Sequence, residues 1–174
     1  MTGRWLIVGI VVLLAAAGFC CTSCGDTPVI DPGNDKKVDY KENAINANRY
    51  LSEREETNIN SYISRRGWNV ATLPCGARVY EYEKGTGALL QNDDSVSVRF
   101  SVENLAGQTF YTDSVARYMV GRLQPNEGID AALQTLRHGS RAYVLLPSST
   151  AFGVVGDHYR IPPRTPLVYN IAVL

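Results

Sequence analysis

The stretch "AFGVVGDHYRIPPRTPLVYNIAVL", residues 151–174, decides the fold. It sets Phe152 between a small residue and a glycine, continues through a polar loop, and reaches two adjacent prolines, Pro162 and Pro163. Each proline fixes its own φ, and the second also biases the first toward extended backbone. The run "LVYNIAVL" that follows is almost entirely apolar, which is typical of a buried strand. The stretch therefore predicts a stiff loop that delivers the chain into a strand at Leu167.

The residues before this stretch predict more strands of the same sheet. In "DDSVSVRFSVEN", residues 93–104, apolar and polar side chains alternate, which is the pattern of a half-buried antiparallel strand. "NLAG", residues 104–107, predicts a turn, and "QTFYT" predicts the returning strand. "ARVYEYEKGTG", residues 77–87, and "SRAYVLLP", residues 140–147, also have strand patterns. The two glycines that end the first of these predict a plain turn, because no helix follows to complete a phosphate-binding loop.

One segment, "NEGIDAALQTLRHGS" at residues 126–140, has a clear helical pattern. Its apolar positions at i, i+3, i+4 and i+7 share one face. They are Ile129, Ala132, Leu133 and Leu136. Arg137 and His138 complement the C-terminal end of the helix dipole, which explains His138 without a catalytic role, and Gly139 is predicted to end the helix. Strands that bracket one helix, with no βαβ alternation, predict an α+β domain in which the helix packs on an antiparallel sheet.

The N-terminal segment has the pattern of an export signal. Arg4 precedes an uncharged apolar run at residues 5–21, and no cluster of basic residues follows that run. Its length lies between a secretory apolar region, roughly 7–15 residues, and a bilayer span of about 20. Because a stop-transfer cluster is missing, residues 1–23 are predicted to be a signal peptide.

The motif "CTSC", residues 21–24, ends this signal. A redox role for Cys-x-x-Cys needs a strand-to-helix setting that this position does not offer. The motif instead resembles a bacterial lipoprotein signal, in which small residues precede a cysteine that becomes lipidated. The resemblance implies that Cys24 is the lipidated residue. Cys21 stands where such signals usually have leucine, so Cys20 and Cys21 remain alternative acceptors.

Two segments separate the signal from the strands. Residues 24–37 are polar and turn-forming, which predicts a flexible tether. Residues 38–67 have apolar positions at helical spacing, and Ser52 with Glu55 matches a capping box, which predicts two helices joined near Ser52. Gly67 is the predicted stop. This helical extension either covers the domain or docks a partner.

Composition excludes several classes of function. The chain of 174 residues has 17 basic and 17 acidic residues, so it lacks the positive charge that nucleic-acid binding needs. Two histidines without a cluster of cysteine or carboxylate residues predict no metal site, and no motif for a cofactor is present. No nucleophile elbow or phosphate-binding loop occurs either.

The order of the C-terminal signals resembles the FKBP family of peptidyl-prolyl cis–trans isomerases. Gly121, a helix ending in "LRHGSRAYVLLP", then "AFGVVG", "IPP" and "LVYNIAVL" follow one another at spacings that need no gaps. The resemblance covers residues 78–174. It implies an FKBP-like fold in residues 68–174, an antiparallel twisted sheet wrapped on one short helix. Residues 38–67 then correspond to the N-terminal helical extension of secreted or anchored relatives.

The resemblance also implies a pocket. Its residues are Phe100, Phe110, Tyr111, Asn126, Ile129, Phe152, Ile161 and Tyr169. Asn126 stands where the family holds a substrate carbonyl through a backbone N–H. Phe100 and Phe152 stand where the family usually has tyrosine, and Ile129 where it commonly has tryptophan. Tyr111 takes the place of a common aspartate. The pocket is therefore expected to stay apolar and aromatic while losing some hydrogen-bonding groups.

The implied activity is isomerisation of X-Pro bonds. Amide resonance sets a rotational barrier of ~18–20 kcal/mol, and an apolar pocket can favour the twisted amide without a nucleophile, metal or cofactor. With the lipid anchor, this predicts a membrane-attached isomerase of the cell envelope, on the periplasmic face or the cell surface, that acts on proline-containing exported polypeptides. One alternative is a non-catalytic chaperone or subunit of an envelope protein complex, which the pocket substitutions favour. A purely structural anchor is disfavoured by the large apolar residues in the loop.

Overall fold

The computed structural model of the chain describes residues 40–174. The predicted signal peptide, the tether and Cys24 lie outside the described residues. Residues 41–174 form one compact unit. Between residues 40 and 174, no helix is long and apolar enough to cross a membrane.

Residues 40–174 form two α-helices and six β-strands. In chain order these are α1 (Tyr40–Arg66), β1 (Ala71–Thr72), β2 (Arg78–Glu83), β3 (Ser95–Asn104), β4 (Thr109–Met119), α2 (Glu127–Leu133), β5 (Arg141–Leu146) and β6 (Leu167–Val173). The strands form one antiparallel sheet in the order β1-β2-β5-β6-β3-β4. Residues 147–166 connect β5 to β6, and we call them the β5–β6 loop. The predicted α+β class, with one short helix on an antiparallel sheet, is confirmed.

Strand β6 begins at Leu167, as the double proline predicts, and lies in the interior of the sheet. Tyr169 is in register with Val144 of β5 on one side and with Val102 of β3 on the other. Alternate residues of β6, including Tyr169, belong to the hydrophobic core between the sheet and α2, which we call the main core. Val168 belongs to a second cluster on the opposite face of the sheet. Both faces of β6 are therefore covered, which explains its nearly continuous apolar sequence.

The second cluster lies between the sheet and α1. Ile59 and Tyr62 of α1 pack against Leu145 of β5 and Val168 of β6. Trp68, just after the helix, packs against the same residues. Because burial of apolar surface stabilises by roughly 25 cal/mol per Å², these contacts hold the C-terminal half of α1 on the sheet. That half of the helix covers the face opposite α2.

Helix α1 is continuous, so the predicted joint near Ser52 is wrong. The Ser52 hydroxyl donates to the Asn48 carbonyl oxygen at 3.0 Å, one turn earlier, instead of capping a new helix. Glu55 cannot complete a capping box, because its carboxylate accepts hydrogen bonds from Ser148 in the β5–β6 loop. The helix does end just before Gly67, whose φ of +65° is typical of a helix stop.

Helix α2 ends at Leu133, so the prediction that it includes Arg137 and His138 is wrong. The Leu136 backbone N–H donates to the Leu133 carbonyl oxygen at 3.0 Å, which tightens the chain into a turn. The His138 N–H then donates to the Ala88 carbonyl oxygen at 3.1 Å. Pairing with the segment before β3 takes the backbone groups that a longer helix would need. The predicted apolar position Leu136 is nevertheless buried.

Candidate active site

Aromatic rings meet around Phe100, on the side of the sheet that forms the main core with α2. The ring centroid of Phe100 lies 6.4 Å from that of Tyr111 and 6.4 Å from that of Tyr118, both on β4. The centroid of Tyr169, on β6, is 6.1 Å away. These separations are within the range in which aromatic rings interact favourably. Phe100, Tyr111 and Tyr169 were predicted from the sequence to share the pocket, and Tyr118 was missed.

An irregularity in the β3–β4 pairing explains how Tyr118 joins Tyr111 at the Phe100 ring. Between the pairs Phe100–Ser114 and Val102–Tyr111, β4 contains one residue more than β3. Such a bulge reverses the alternation of faces along a strand. Tyr111 and Tyr118 can therefore reach the same ring although their numbers differ in parity. No local sequence pattern indicates where a bulge will form here.

The other apolar residues of the predicted pocket belong to the same hydrophobic core as these rings. Phe110, Ile129 and Ile161 are buried in the main core. Phe152, in the β5–β6 loop, is partly buried and packs against the same core. The seven apolar members of the predicted set thus belong to one hydrophobic cluster.

Asn126 lies at the N-cap of α2 beside this cluster. Its side-chain Oδ1 accepts the Ile129 backbone N–H at 3.0 Å, which caps the helix. Asn126 itself is 6% exposed, and its Nδ2 makes no hydrogen bond of ordinary geometry within residues 40–174, although the side chain lies close enough to the Tyr169 hydroxyl to lower the pKa of that phenol. Its backbone N–H likewise makes no hydrogen bond within the described part of the chain. A buried donor without a partner costs free energy, so a ligand carbonyl reaching Asn126 would be stabilised.

Strand β4 is bonded to the β5–β6 loop through Asp157. The Tyr111 hydroxyl donates to Asp157 Oδ2 at 2.6 Å. Asp157 Oδ1 accepts the backbone N–H groups of Tyr159, Arg160 and Ile161 at 2.9, 2.8 and 2.7 Å. One carboxylate therefore organises the loop turn that presents Ile161 and joins that turn to the aromatic cluster. Asp157 was not predicted as a site residue. Its only sequence signal is that aspartate often bonds the backbone two or more residues ahead in a turn.

Arg160 adds a second connection between the same two elements. Its Nη1 donates to the Phe110 carbonyl oxygen at 3.1 Å. Its guanidinium carbon lies 5.2 Å from the ring centroid of Tyr111, a cation–π separation. The β5–β6 loop is thus held at β4 by both a carboxylate and a guanidinium.

The titratable groups of the site are held in single charge states near neutral pH. Burial, with a contribution from the hydrogen bond to Asp157, raises the pKa of Tyr111 to about 12. Burial alone would raise the pKa of Asp157, but hydrogen bonds from the Tyr111 hydroxyl and three backbone N–H groups lower it to about 2. Burial also raises the pKa of Tyr169, and the neighbouring Asn126 side chain opposes that rise. Near neutral pH the site therefore contains neutral phenols and one ionised carboxylate.

This arrangement has the features of a binding surface. Among residues 40–174 no group of three or more His, Cys, Asp or Glu side chains could hold a metal ion. The aromatic rings around Phe100 are tilted against one another by 36–60° and form an apolar group, and Asn126 has donors beside it for one carbonyl. A small ring next to a peptide carbonyl, as in an X-Pro segment, matches both features.

Comparison with known proteins supplies the family. The model of the FKBP-type peptidyl-prolyl cis-trans isomerases matches residues 87–174. The chain is 30% identical over 106 residues to the macrophage infectivity potentiator of Trypanosoma cruzi. This alignment covers 59% of this chain and 54% of that protein. It is 32% identical over 107 residues to a probable FKBP-type 25 kDa peptidyl-prolyl cis-trans isomerase of Pseudomonas aeruginosa, covering 62% of this chain and 47% of that protein. The chain thus spans about half the length of these curated relatives.

A solved structure shares the fold. The crystal structure of a peptidyl-prolyl cis-trans isomerase from Pseudomonas syringae pv. tomato is similar with a TM-score of 0.61 at 25% sequence identity. The match covers 72% of this chain and 92% of that one. The sheet and short helix described above are therefore an FKBP-like fold.

Proposed function

Because this chain belongs to the FKBP-type peptidyl-prolyl cis-trans isomerase family, we propose that it catalyses cis–trans isomerisation of X-Pro bonds in polypeptides. The observation that carries the proposal is the aromatic cluster around Phe100 beside the unpaired donors of Asn126. The apolar rings would contact the prolyl ring of an X-Pro substrate, and a donor of Asn126 would bind the adjacent carbonyl.

The origin of the rotational barrier of the X-Pro amide explains why a site with few polar groups can catalyse its isomerisation. Resonance in the planar amide sets a rotational barrier of ~18–20 kcal/mol, and X-Pro bonds interconvert in tens to hundreds of seconds without a catalyst. Water stabilises the polar planar amide, and an apolar pocket lacks that water. In our proposal, Phe100 and Tyr169 contact the prolyl ring and Asn126 holds the carbonyl of the preceding residue. Rotation is faster if this arrangement binds the twisted amide more tightly than either planar form.

The loop residues complete the proposed site. Phe152 and Ile161 lie on the β5–β6 loop and pack against the same core as the aromatic cluster. We assign them to the rim that covers the substrate and excludes water. Asp157 and Arg160 hold this rim at β4, so the pocket is organised before substrate arrives.

We further propose that the protein is a lipoprotein of the cell envelope, anchored through Cys24, with proline-containing exported polypeptides as its clients. Support comes from the uncharged apolar run at residues 5–21 and from the small residues before Cys24. An acyl chain contributes about 0.8 kcal/mol for each buried methylene, so multiple chains would hold the protein at a membrane surface.

The direct test is an isomerase assay on the purified full chain with peptides that carry different residues before proline. We expect the cis-to-trans rate to rise in proportion to protein concentration. An unchanged rate with every peptide would refute the enzymatic proposal. If the same peptides still bound in a titration, the result would favour a non-catalytic binding module of the same fold.

A further inference from the structure

Helix α1 lies outside the range that matches the family, residues 87–174, yet it contacts both ends of the β5–β6 loop. At the start of the loop, Glu55 Oε2 accepts the Ser148 backbone N–H at 2.9 Å and Glu55 Oε1 accepts the Ser148 hydroxyl at 2.7 Å. Toward the end of the loop, Asn48 Oδ1 accepts Arg164 Nη2 at 2.9 Å. The helix therefore holds the loop at two points.

Hydrogen bonds inside the loop connect these two points. The Ser148 carbonyl oxygen accepts the Gly153 N–H at 2.7 Å, and the Gly153 carbonyl oxygen accepts the Arg164 N–H at 2.8 Å. Together with Glu55 and Asn48 they form a closed circuit from α1 through the loop and back to α1. Gly153 is the middle of that circuit, and the residue directly before it is the pocket residue of the loop.

The contact at Ser148 is the stronger of the two. Ser148 is 9% exposed, so its N–H and hydroxyl would lack water if the acceptor were removed. The acceptor is a carboxylate, and hydrogen bonds to charged groups are about twice as strong as neutral ones. The Arg164–Asn48 bond is exposed, and solvent can replace it. Glu55 is therefore the residue of α1 on which the loop depends most.

The helix is held firmly enough to act as a support. The residue after Glu55, Glu56, forms an ion pair with Arg78, which is 6% exposed. One turn further, Ile59 and Tyr62 are buried against the sheet. The register of α1 on the domain is thus set independently of its contact with the loop.

We propose that Glu55 is a positioning residue for the isomerase site: through Ser148 and Gly153 it sets the place of Phe152 at the rim of the pocket. This inference rests on the proposed function. Glu55 touches no substrate. It holds the loop in the arrangement that encloses the prolyl ring, and displacement of a positioning group by about 1 Å can cost 10²-fold in rate. The N-terminal helix is then a working part of the site rather than only a cover for the sheet.

The test compares Glu55→Ala with Glu53→Ala in the full chain. Both changes replace a glutamate within the same helix by a residue of higher helix propensity, but Glu53 is exposed and lies two positions away from the contact. For Glu55→Ala we expect kcat/KM to fall about fivefold to tenfold and amide hydrogen exchange at Gly153 and Arg164 to rise about tenfold, as expected when a charge-assisted hydrogen bond is lost. Glu53→Ala should leave both quantities at the wild-type value.

Two further variants separate positioning from general stability. Glu55→Gln keeps the length and one carbonyl acceptor but loses the charge and the second acceptor oxygen, so its kcat/KM should lie between those of Glu55→Ala and wild type. Ser148→Ala in the Glu55→Ala background should cause little additional loss, because the two residues act through one contact. If Glu55→Ala only lowers the unfolding temperature, while kcat/KM and the exchange rates at Gly153 and Arg164 equal those of Glu53→Ala, the inference is refuted.

Isomerase activity and hydrogen exchange together distinguish a failure of this inference from a failure of the proposed function. An active wild type with an unaffected Glu55→Ala variant refutes the positioning role alone. A wild type without isomerase activity refutes the proposed function, and with it the positioning role of Glu55 in catalysis, whatever the exchange rates show.

Discussion

The Tyr111 hydroxyl donates a hydrogen bond of 2.6 Å to Asp157 Oδ2 across 46 residues of sequence. The FKBP resemblance leads one to expect an aspartate at position 111, where this chain has tyrosine. A carboxylate is still present next to that position, but it comes from the β5–β6 loop. Asp157 therefore has two roles: its carboxylate accepts the Tyr111 hydroxyl, and it also orders the turn before Ile161.

Tyr111→Phe removes that bond and keeps the ring in the aromatic cluster. We expect the free energy of unfolding to fall by about 1.5–3 kcal/mol, the range for a hydrogen bond to a charged group. Chemical denaturation followed by circular dichroism measures the change. Tyr159→Phe, in the same loop but 76% exposed, is the matched control and should be nearly neutral. Equal losses in the two variants would contradict the assigned bond.

The same bond predicts a specific dependence of stability on pH. The pKa of Asp157 is lowered from 3.8 to about 2, so its contribution is present above 3.8 and is lost as pH falls toward 2. The pKa of Tyr111 is raised from 10.0 to about 12, so its contribution is present below 10 and is lost as pH rises toward 12. The difference in unfolding free energy between wild type and Tyr111→Phe should be constant from about pH 5 to 9 and should shrink at both extremes. A difference that varies steadily across the neutral range would contradict it.

Phe152→Ala tests the rim of the pocket. Removal of a partly buried ring should cost about 1–3 kcal/mol of stability and leave the domain folded. We expect kcat/KM to fall at least about tenfold, because the substrate loses an apolar cover that excludes water. Val154→Ala, in the same loop and 63% exposed, should retain activity. If the Phe152 variant keeps the wild-type rate, Phe152 does not belong to the site.

Two substitutions of Asn126 distinguish its role as the N-cap of α2 from its role as a hydrogen-bond donor. Asn126→Ser keeps a good N-cap residue but lacks the amide Nδ2, so stability should stay within about 1 kcal/mol of wild type. Because the backbone N–H remains, kcat/KM should fall by only about threefold to tenfold. Asn126→Ala should lose about 1 kcal/mol more in unfolding, since it removes the cap as well. Wild-type kcat/KM in the serine variant would show that Nδ2 does not contact the substrate.

Cys24→Ser tests the anchor. We expect the variant to appear in the soluble fraction after cell lysis and to carry no acyl chains by mass spectrometry, while the wild type remains with membranes. Membrane association that persists with acylation would assign the lipid to Cys20 or Cys21.

The sequence predicted the sheet and the short helix, because these depend on local patterns. The alternation of Val96, Val98, Phe100 and Val102 places one face of β3 in the core, and it does so in the structure. The double proline predicted where β6 begins. The resemblance then selected residues that the structure brings into one cluster.

The errors share a physical cause. The length of α2 and the continuity of α1 were mispredicted, because His138 and Glu55 bond to distant partners, Ala88 and Ser148. A helix dipole and a capping box are local preferences of about 1 kcal/mol, and a tertiary hydrogen bond is large enough to override them.

The sequence by itself determined the fold class and the family, because period, composition and motif order are visible along the chain. Only the tertiary structure decided how the pocket is held together. A bulge brings Tyr118 to Phe100, Asp157 reaches Tyr111 from a loop, and Glu55 supports that loop from a helix outside the family match. Each of these depends on residues that are far apart in sequence, and their pairing follows from the packed sheet rather than from any local pattern.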